Sequence, residues 1–141
     1  MWMRVAVICT VLSLGLVGCT SKPVADTKIP QQEVGRKNPV ESNPSSIAEG
    51  KRLYEATDCA LCHAKDGDGK GVLAKDISMM KTHDWRQASS LDHFTDGELS
   101  YLILKGKGRM PAYANRESQE QVWQMVNYIR SMVVRGNSPA S

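Results

Sequence analysis

The apolar spacing of helices runs along the chain from Ser46 to about Val134. In the last predicted helix, apolar side chains recur every three or four residues: Val122, Met125, Val126, Ile129, Met132 and Val133. This spacing places them on one buried face. Leu99, Leu102 and Ile103 repeat the pattern in a middle helix. Because no segment alternates with period two for long enough to make a strand, the predicted fold class is all-α.

Capping boxes mark where three of these helices begin. In such a box a side-chain oxygen, together with a Glu or Gln three residues later, satisfies free amide groups in the first turn. The boxes are Ser46 with Glu49, Thr95 with Glu98, and Ser118 with Gln121. The pattern therefore predicts a small bundle of three or more helices.

A different apolar segment lies at the amino end. Val5 to Val17 are apolar after Arg4, but thirteen residues are too few to span a bilayer core, which needs about 20. A core helix at this place would also need a polar face, so a signal segment is the better interpretation. Cys9 lies inside it and has no role after cleavage.

The apolar segment ends in Leu16-Val17-Gly18-Cys19, which resembles the lipobox of bacterial lipoproteins. The resemblance implies removal of residues 1–18 and acylation of Cys19; a plain secretory signal is the alternative. More than one acyl chain gives stable anchoring without a spanning helix. We expect the protein in the cell envelope, held to a membrane by lipid and facing the periplasm or the exterior.

Polar residues and four of the six prolines, without apolar period, follow up to residue 45: Pro23, Pro30, Pro39 and Pro44. This composition is typical of a flexible, proline-stiffened linker. We therefore predict a tether over residues 19–45, a folded domain over residues 46–136 and a disordered tail over residues 137–141. Charged residues make up 23% of the chain and the net charge is +3. Neither value is high enough to indicate a nucleic-acid partner, and we expect none.

The chemistry of the domain centres on Cys59-Ala60-Leu61-Cys62-His63, the C-x-x-C-H sequence of c-type haem attachment. Two thiols three positions apart can bond to the two vinyl groups of one porphyrin, and His63 then supplies an imidazole to the iron. A zinc site needs more ligands at compact spacing, and a thioredoxin-like dithiol needs a βαβ setting. A disulfide would not explain His63. One covalent haem c would also enlarge a core of about 90 residues.

Three further segments extend the similarity. Residues 50–54 place a glycine and an aromatic one turn apart, residues 66–71 form a glycine-rich loop, and residues 123–130 carry an aromatic final helix. Together with the haem motif they resemble the class I c-type cytochromes of the short bacterial type. The loop does not match a calcium site, because Lys70 and Ile77 stand where ligands belong.

Residues 106–112 resemble the distal loop of that family, which implies Met110 as the second axial ligand, before Pro111. A thioether favours ferrous iron and occupies the position where a substrate would bind. Other residues could compete for this role: Met79, Met80, His83, His93, Met125 and Met132. Trp85 and Tyr113 could contact the haem, although a core role suits them equally.

The expected function is that of a mono-haem electron carrier, not an enzyme, with His63 and Met110 as axial ligands. Its partners would be a redox donor and acceptor met in transient complexes, the protein itself being a monomer. Lys105, Lys107 and Arg109 could form a basic docking rim or simply a solvated loop. Two alternatives remain: a haem enzyme or gas sensor with an open sixth position, and a fixed subunit of a larger respiratory complex.

Overall fold

A computed structural model describes residues 28–76 and 83–133 of the 141-residue chain. The described residues form seven helices: α1 (Gln31–Val34), α2 (Pro44–Ala56), α3 (Cys59–His63), α4 (Val72–Asp76), α5 (Ala88–Leu91), α6 (Asp96–Lys105) and α7 (Gln119–Ser131). Within these ranges no strand forms, and Lys107 and Met110 pair only as an isolated bridge. The predicted all-α class is confirmed.

The crossing of α2 over α7 is the main contact of the fold, and a glycine makes it close. A Cβ built on Gly50 would lie 2.0 Å from the carbonyl oxygen of Gln124, so only glycine permits this approach of the two backbones. One turn later, the ring of Tyr54 meets that of Tyr128 edge to face at 5.4 Å. The glycine and aromatic pair expected to meet the last helix therefore does so.

The core lies between α2, α6 and α7. Its buried members include four residues of the predicted stripe of α7: Val122, Met125, Val126 and Ile129. At the end of that stripe, Met132 and Val133 are only partly buried against the core. In α6, Leu99 and Ile103 are buried, whereas Leu102 is partly exposed and faces a cavity.

Two of the three predicted helix starts are confirmed. Thr95 caps α6 with Glu98, and Ser118 caps α7 with Gln121, each through a reciprocal capping box. The predicted start at Ser46 is wrong, because α2 begins at Pro44 and its cap is Asn43. The side chain of Asn43 accepts from the Ser46 amide, and the Ser46 hydroxyl accepts from the Asn43 amide, so Ser46 occupies the third helical position.

Residues 30–43, which the sequence assigned to the tether, pack against the domain. The helix α1 contacts α6, and the Asn38 side chain donates to the Trp123 carbonyl oxygen at 3.0 Å. The sequence pattern did not predict this docking, because amide hydrogen bonds and close backbone contacts produce no apolar period. The folded part thus begins near Pro30 and not at residue 46.

Several predicted features lie outside the described residues. They are the signal segment over residues 1–18, the acylated Cys19, the first part of the tether, the methionines Met79 and Met80, and the tail over residues 137–141. Among the helices of residues 28–76 and 83–133, none has the length and apolar character needed to cross a bilayer.

Candidate haem site

The two motif cysteines lie on the short helix α3. A spacing of three residues puts Cys59 and Cys62 on the same side of one helical turn. Neither thiol is in a disulfide within the described part of the chain, and both are partly buried. The turn starts from Asp58 in the left-handed backbone region (φ 66°), which brings the helix sharply out of the end of α2. Two reduced thiols and the following imidazole are thus presented together.

The glycine-rich loop folds back over the carboxyl end of α3. The Gly69 amide donates to the His63 carbonyl oxygen at 3.0 Å, and the Gly71 amide donates to the Cys62 carbonyl oxygen at 3.1 Å. These bonds satisfy carbonyls that a helix end leaves free. A Cβ on Gly71 would lie 2.2 Å from the carbonyl oxygen of Leu61, so this loop needs glycine where it crosses the motif.

Aromatic hydroxyls from the helix crossing hold the same loop. The Tyr54 hydroxyl donates to the Ala64 carbonyl oxygen at 2.7 Å, and the Tyr128 hydroxyl donates to that of Lys65 at 3.2 Å. Burial raises the pKa of Tyr54, which keeps its hydroxyl a donor at neutral pH. The α2 and α7 contact therefore positions the residues directly after His63.

A cavity of about 260 Å³ opens beside His63. Its wall is mostly apolar, with basic side chains at Lys107 and Arg109. The other lining residues are His63, His83, Trp85, Phe94, Leu99, Leu102, Ile103, Met110 and Ile129. The helices α6 and α7 thus turn apolar side chains toward a space that also holds an imidazole and a thioether.

The Nδ1 atom of His63 is buried and has no hydrogen-bond partner among the described residues. Its ring stacks on Trp85, with the centroids 4.1 Å apart and the planes 18° from parallel. Burial, and secondarily the nearby His83, lower the pKa of His63 to about 4. The imidazole is therefore neutral at physiological pH, which is the form that binds iron.

Met110 reaches the cavity from a tight turn after α6. The Lys107 and Met110 amides each donate to the carbonyl oxygen of the other residue, at 3.1 and 2.9 Å. Gly106 precedes the turn with φ 72°, and a Cβ there would lie 2.5 Å from the Met110 carbonyl oxygen. The Tyr113 amide then donates to the Ile103 carbonyl oxygen at 3.1 Å, which ties the loop back to α6.

A second cavity, of about 30 Å³, lies between the haem motif and the loop that carries Met110. It is lined by Asp58, Cys59, Cys62, His63, Met110, Pro111 and Tyr113. Here the Thr57 hydroxyl lies 3.3 Å from the Cys59 sulfur. Burial raises the pKa of the Cys59 thiol, and burial together with Cys59 raises the pKa of Tyr113 to about 12. The Tyr113 side chain thus packs beside the first thiol.

The other residues considered for the second axial position lie in different parts of the structure. His83 lines the large cavity with His63 and Met110, whereas His93 is exposed and Met125 is buried in the core away from the cavity wall. The Met132 sulfur would lie 2.5 Å from a Cβ on Gly67, which places it against the glycine-rich loop. Met79 and Met80 lie outside the described residues.

Arg130 has a structural role that the sequence did not reveal. From the last turn of α7 its guanidinium donates to Asp96 at 2.9 Å and to the Leu91 carbonyl oxygen at 3.0 Å, and it also donates to that of Phe94. These bonds hold the loop before α6, whose Phe94 lines the cavity. The available signal, a basic residue at a helix end, is too common to identify a partner 34 or more residues away.

The residues around the cavity fit a covalently attached haem. Such a group needs two reduced thiols at one edge, a neutral imidazole, and an apolar wall that keeps water from the iron. Cys59, Cys62 and the neutral His63 meet the first two needs, and the side chains of α6 and α7 meet the third. The buried, unpartnered Nδ1 of His63 marks a ring whose environment is incomplete without a ligand.

Proteins named cytochrome c6 are among the relatives of this chain. Cytochrome c6 of Bumilleriopsis filiformis is 28% identical over 92 residues, which cover 65% of this chain and 98% of the relative. Cytochrome c6 of Cladophora glomerata is 30% identical over 93 residues, covering 62% of this chain and 90% of the relative. The similarity thus spans nearly the whole length of these relatives but only part of this chain.

A solved structure has the same fold. It belongs to the reducing HAO-like protein complex of Kuenenia stuttgartiensis and superposes with a TM-score of 0.61 at 25% identity. The match covers 72% of this chain and 49% of that chain, so this chain spans about half the length of its structural neighbour.

A family model matches residues 45–129, from the start of α2 almost to the end of α7. This range holds the haem motif, the glycine-rich loop and the Met110 loop, and it is more than half of the chain. The resemblance to class I c-type cytochromes is thereby confirmed. The chain belongs to the cytochrome c family described as cytochrome C oxidase, cbb3-type, subunit III.

Proposed function

We propose that this protein is a membrane-tethered mono-haem cytochrome that carries single electrons between redox partners outside the cytoplasm. Cys59 and Cys62 would hold one haem c, and His63 and Met110 would be its axial ligands. The observation that carries this proposal is that His63 and Met110 line the same cavities, one of which also contacts both cysteines. The similarity to proteins named cytochrome c6 supports the carrier role.

When bound, haem c supplies an iron that alternates between the ferric and ferrous states. The chain's own residues then set how readily it does so. Met110 offers a thioether, a soft donor that favours the ferrous state, and His63 offers a neutral imidazole. Leu99, Ile103 and Ile129 line the cavity with apolar surface, which disfavours the additional charge of the ferric state.

The basic residues of the Met110 loop would meet the partners. Lys105, Lys107 and Arg109 are exposed, and two of them line the mouth of the large cavity. Positive charge at this edge would steer acidic redox proteins toward the haem and fall in effect as salt rises. Encounters of this class bury less than about 1,200 Å² and dissociate quickly, as a carrier requires.

The lipid anchor remains part of the proposal. Cys19 follows an apolar segment too short to span a bilayer, and it ends a lipobox-like sequence. Acylation there would keep the carrier at the membrane surface, outside the cytoplasm, where c-type haem is attached in bacteria.

The decisive experiment removes the Met110 sulfur while keeping the volume of the side chain. In Met110→Leu we expect the oxidised protein to lose its weak long-wavelength sulfur band, the reduction potential to fall, and the reduced iron to bind carbon monoxide readily. Met125→Leu makes the same chemical change inside the core and is the matched control, expected to leave all three unchanged.

Two results would overturn this ligand assignment. Unchanged spectrum and potential in Met110→Leu would point to another ligand, with His83 the candidate on the cavity wall. Rapid carbon monoxide binding by the parent protein would show an open sixth position and favour the haem enzyme or gas sensor.

A second candidate is a fixed subunit of a larger redox complex. It is favoured by the family description, which names an oxidase subunit, and by the structural neighbour, which comes from a protein complex. Purification from native membranes in mild detergent without crosslinking would decide. A constant partner recovered at one-to-one ratio supports the subunit, and recovery of the protein alone supports the carrier.

A further inference from the structure

The segment before α2 docks on the outside of the domain, starting at α6. Gly97, in the first turn of α6, is buried, and a Cβ there would lie 2.0 Å from the Glu33 carbonyl oxygen and 2.8 Å from the Arg36 Cβ. The backbone of α1 therefore rests directly on α6. Glycine is required because any larger side chain would occupy the place of the Glu33 peptide.

The same segment continues across α7. The Arg36 guanidinium lies over the Trp123 ring at 5.1 Å from its centroid, within cation–π distance. The Asn38 amide group donates to the Trp123 carbonyl oxygen at 3.0 Å and to the Asn127 Oδ1 at 2.8 Å. Its own oxygen accepts from the Val40 amide at 2.9 Å, which fixes the local turn.

Asn127 makes this docking specific. Its side chain is buried, and its amide nitrogen donates to the carbonyl oxygens of Val40 and Glu41 and to the Ser46 hydroxyl, at 3.2 to 3.3 Å. A buried amide is costly unless its hydrogen bonds are made. Apart from Ser46, the partners of this group come from residues 38–41, so the docked segment supplies three of its four hydrogen bonds.

We infer that residues 30–43, here named the strap, fix the point at which the tethered end joins the domain beside the start of α6. The strap precedes the family match at residues 45–129. It braces from outside α6 and α7, the helices whose inner faces line the large cavity. The docking itself does not depend on the lipid anchor.

The strap shortens the reach of the domain, and this consequence rests on the proposed acylation of Cys19. Pro30 lies eleven positions after Cys19, a stretch that extends at most about 40 Å, at about 3.5 Å per residue. A tether that ran to residue 45 would extend to about 90 Å. The docked strap therefore keeps the haem cavity close to the membrane and restricts the carrier to partners at that surface.

The test compares two glycine substitutions in the haem-loaded full chain, with amide hydrogen exchange as the readout. Gly97→Ala puts a methyl group into the Glu33 peptide, and we expect the Arg36 and Val40 amides to exchange at least tenfold faster. Gly35→Ala is the matched control inside the strap, because no atom lies within 4 Å of its Cβ and its exchange should stay unchanged.

A third variant tests whether both ends act on one docked segment. Asn38→Ala should also speed exchange of the Arg36 amide, and its combination with Gly97→Ala should give less than the product of the single effects. The inferred docking of the strap would be wrong if its amides exchanged at the parental rate in Gly97→Ala. It would also be wrong if Gly35→Ala accelerated their exchange equally.

The reach is measured separately. The full chain would be bound to phosphatidylcholine vesicles with dansyl-labelled headgroups, where energy transfer to the haem reports distance. Transfer that falls in Gly97→Ala supports the shortened reach, and equal transfer contradicts it. If the parent protein does not bind the vesicles, the proposed acylation of Cys19 and the shortened reach are both wrong. The hydrogen-exchange result does not depend on the anchor and would still test the docking of the strap.

Discussion

Replacing Gly50 with alanine tests the contact on which the site depends. The new Cβ would lie 2.0 Å from the Gln124 carbonyl oxygen and 2.6 Å from its carbon, whereas ordinary contact begins at 3.4 Å. The two backbones must therefore separate by about 1.4 Å, and gaps of this size forfeit much of the dispersion energy across a helix contact. The obstacle is backbone, so no side chain can rotate away.

The magnitude follows from two opposing effects. Overpacking costs up to about 3 kcal/mol, and alanine regains about 1 kcal/mol over glycine inside a helix. The net loss is up to about 2 kcal/mol in the free energy of unfolding. At about 4 to 8 °C per kcal/mol for a domain of this size, the upper limit corresponds to a fall in Tm of about 8 to 16 °C.

Thermal unfolding of the haem-loaded protein, followed by far-ultraviolet circular dichroism, measures this. Gly35→Ala, which has no atom within 4 Å of the new Cβ, should shift the free energy by less than about 0.5 kcal/mol. An equal or higher Tm for Gly50→Ala would refute the close crossing of α2 and α7, and with it the placement of Tyr54 over the loop after His63.

Three further predictions concern attachment, anchoring and charge. Cys59→Ala with Cys62→Ala should give a poorly helical, rapidly degraded chain, because the core loses its cofactor; parental circular dichroism and melting would show that haem is accessory. Cys19→Ala should release a soluble exported form, and mass spectrometry finding an unmodified amino terminus at another residue would contradict acylation. Hydrogen bonds from Arg86 lower the pKa of Asp84 to about 2, below its ordinary 3.8. This pair therefore stabilises the fold above pH 4 and loses its effect as the pH falls through 2, so the urea midpoints of Asp84→Asn and the parent should differ at pH 7 and converge below pH 2.

The sequence by itself determined the features whose parts are neighbours along the chain. The haem motif is such a feature, because its two thiols and its imidazole fit within one helical turn. The capping boxes at Thr95 and Ser118 are others, since the bonds join residues three apart. The apolar stripe of α7 could be predicted from the sequence because a helix repeats its buried face every three to four residues.

Only the tertiary structure decided which distant groups meet. It brought His63 against Trp85, placed His83 on the cavity wall with Met110, and moved Met125 away from it. It also docked Asn38 onto Asn127, 89 residues later, in a segment with the composition of a linker. Single hydrogen bonds and glycine contacts between remote backbones produce no periodic pattern in the sequence. They therefore cannot be predicted from neighbouring residues.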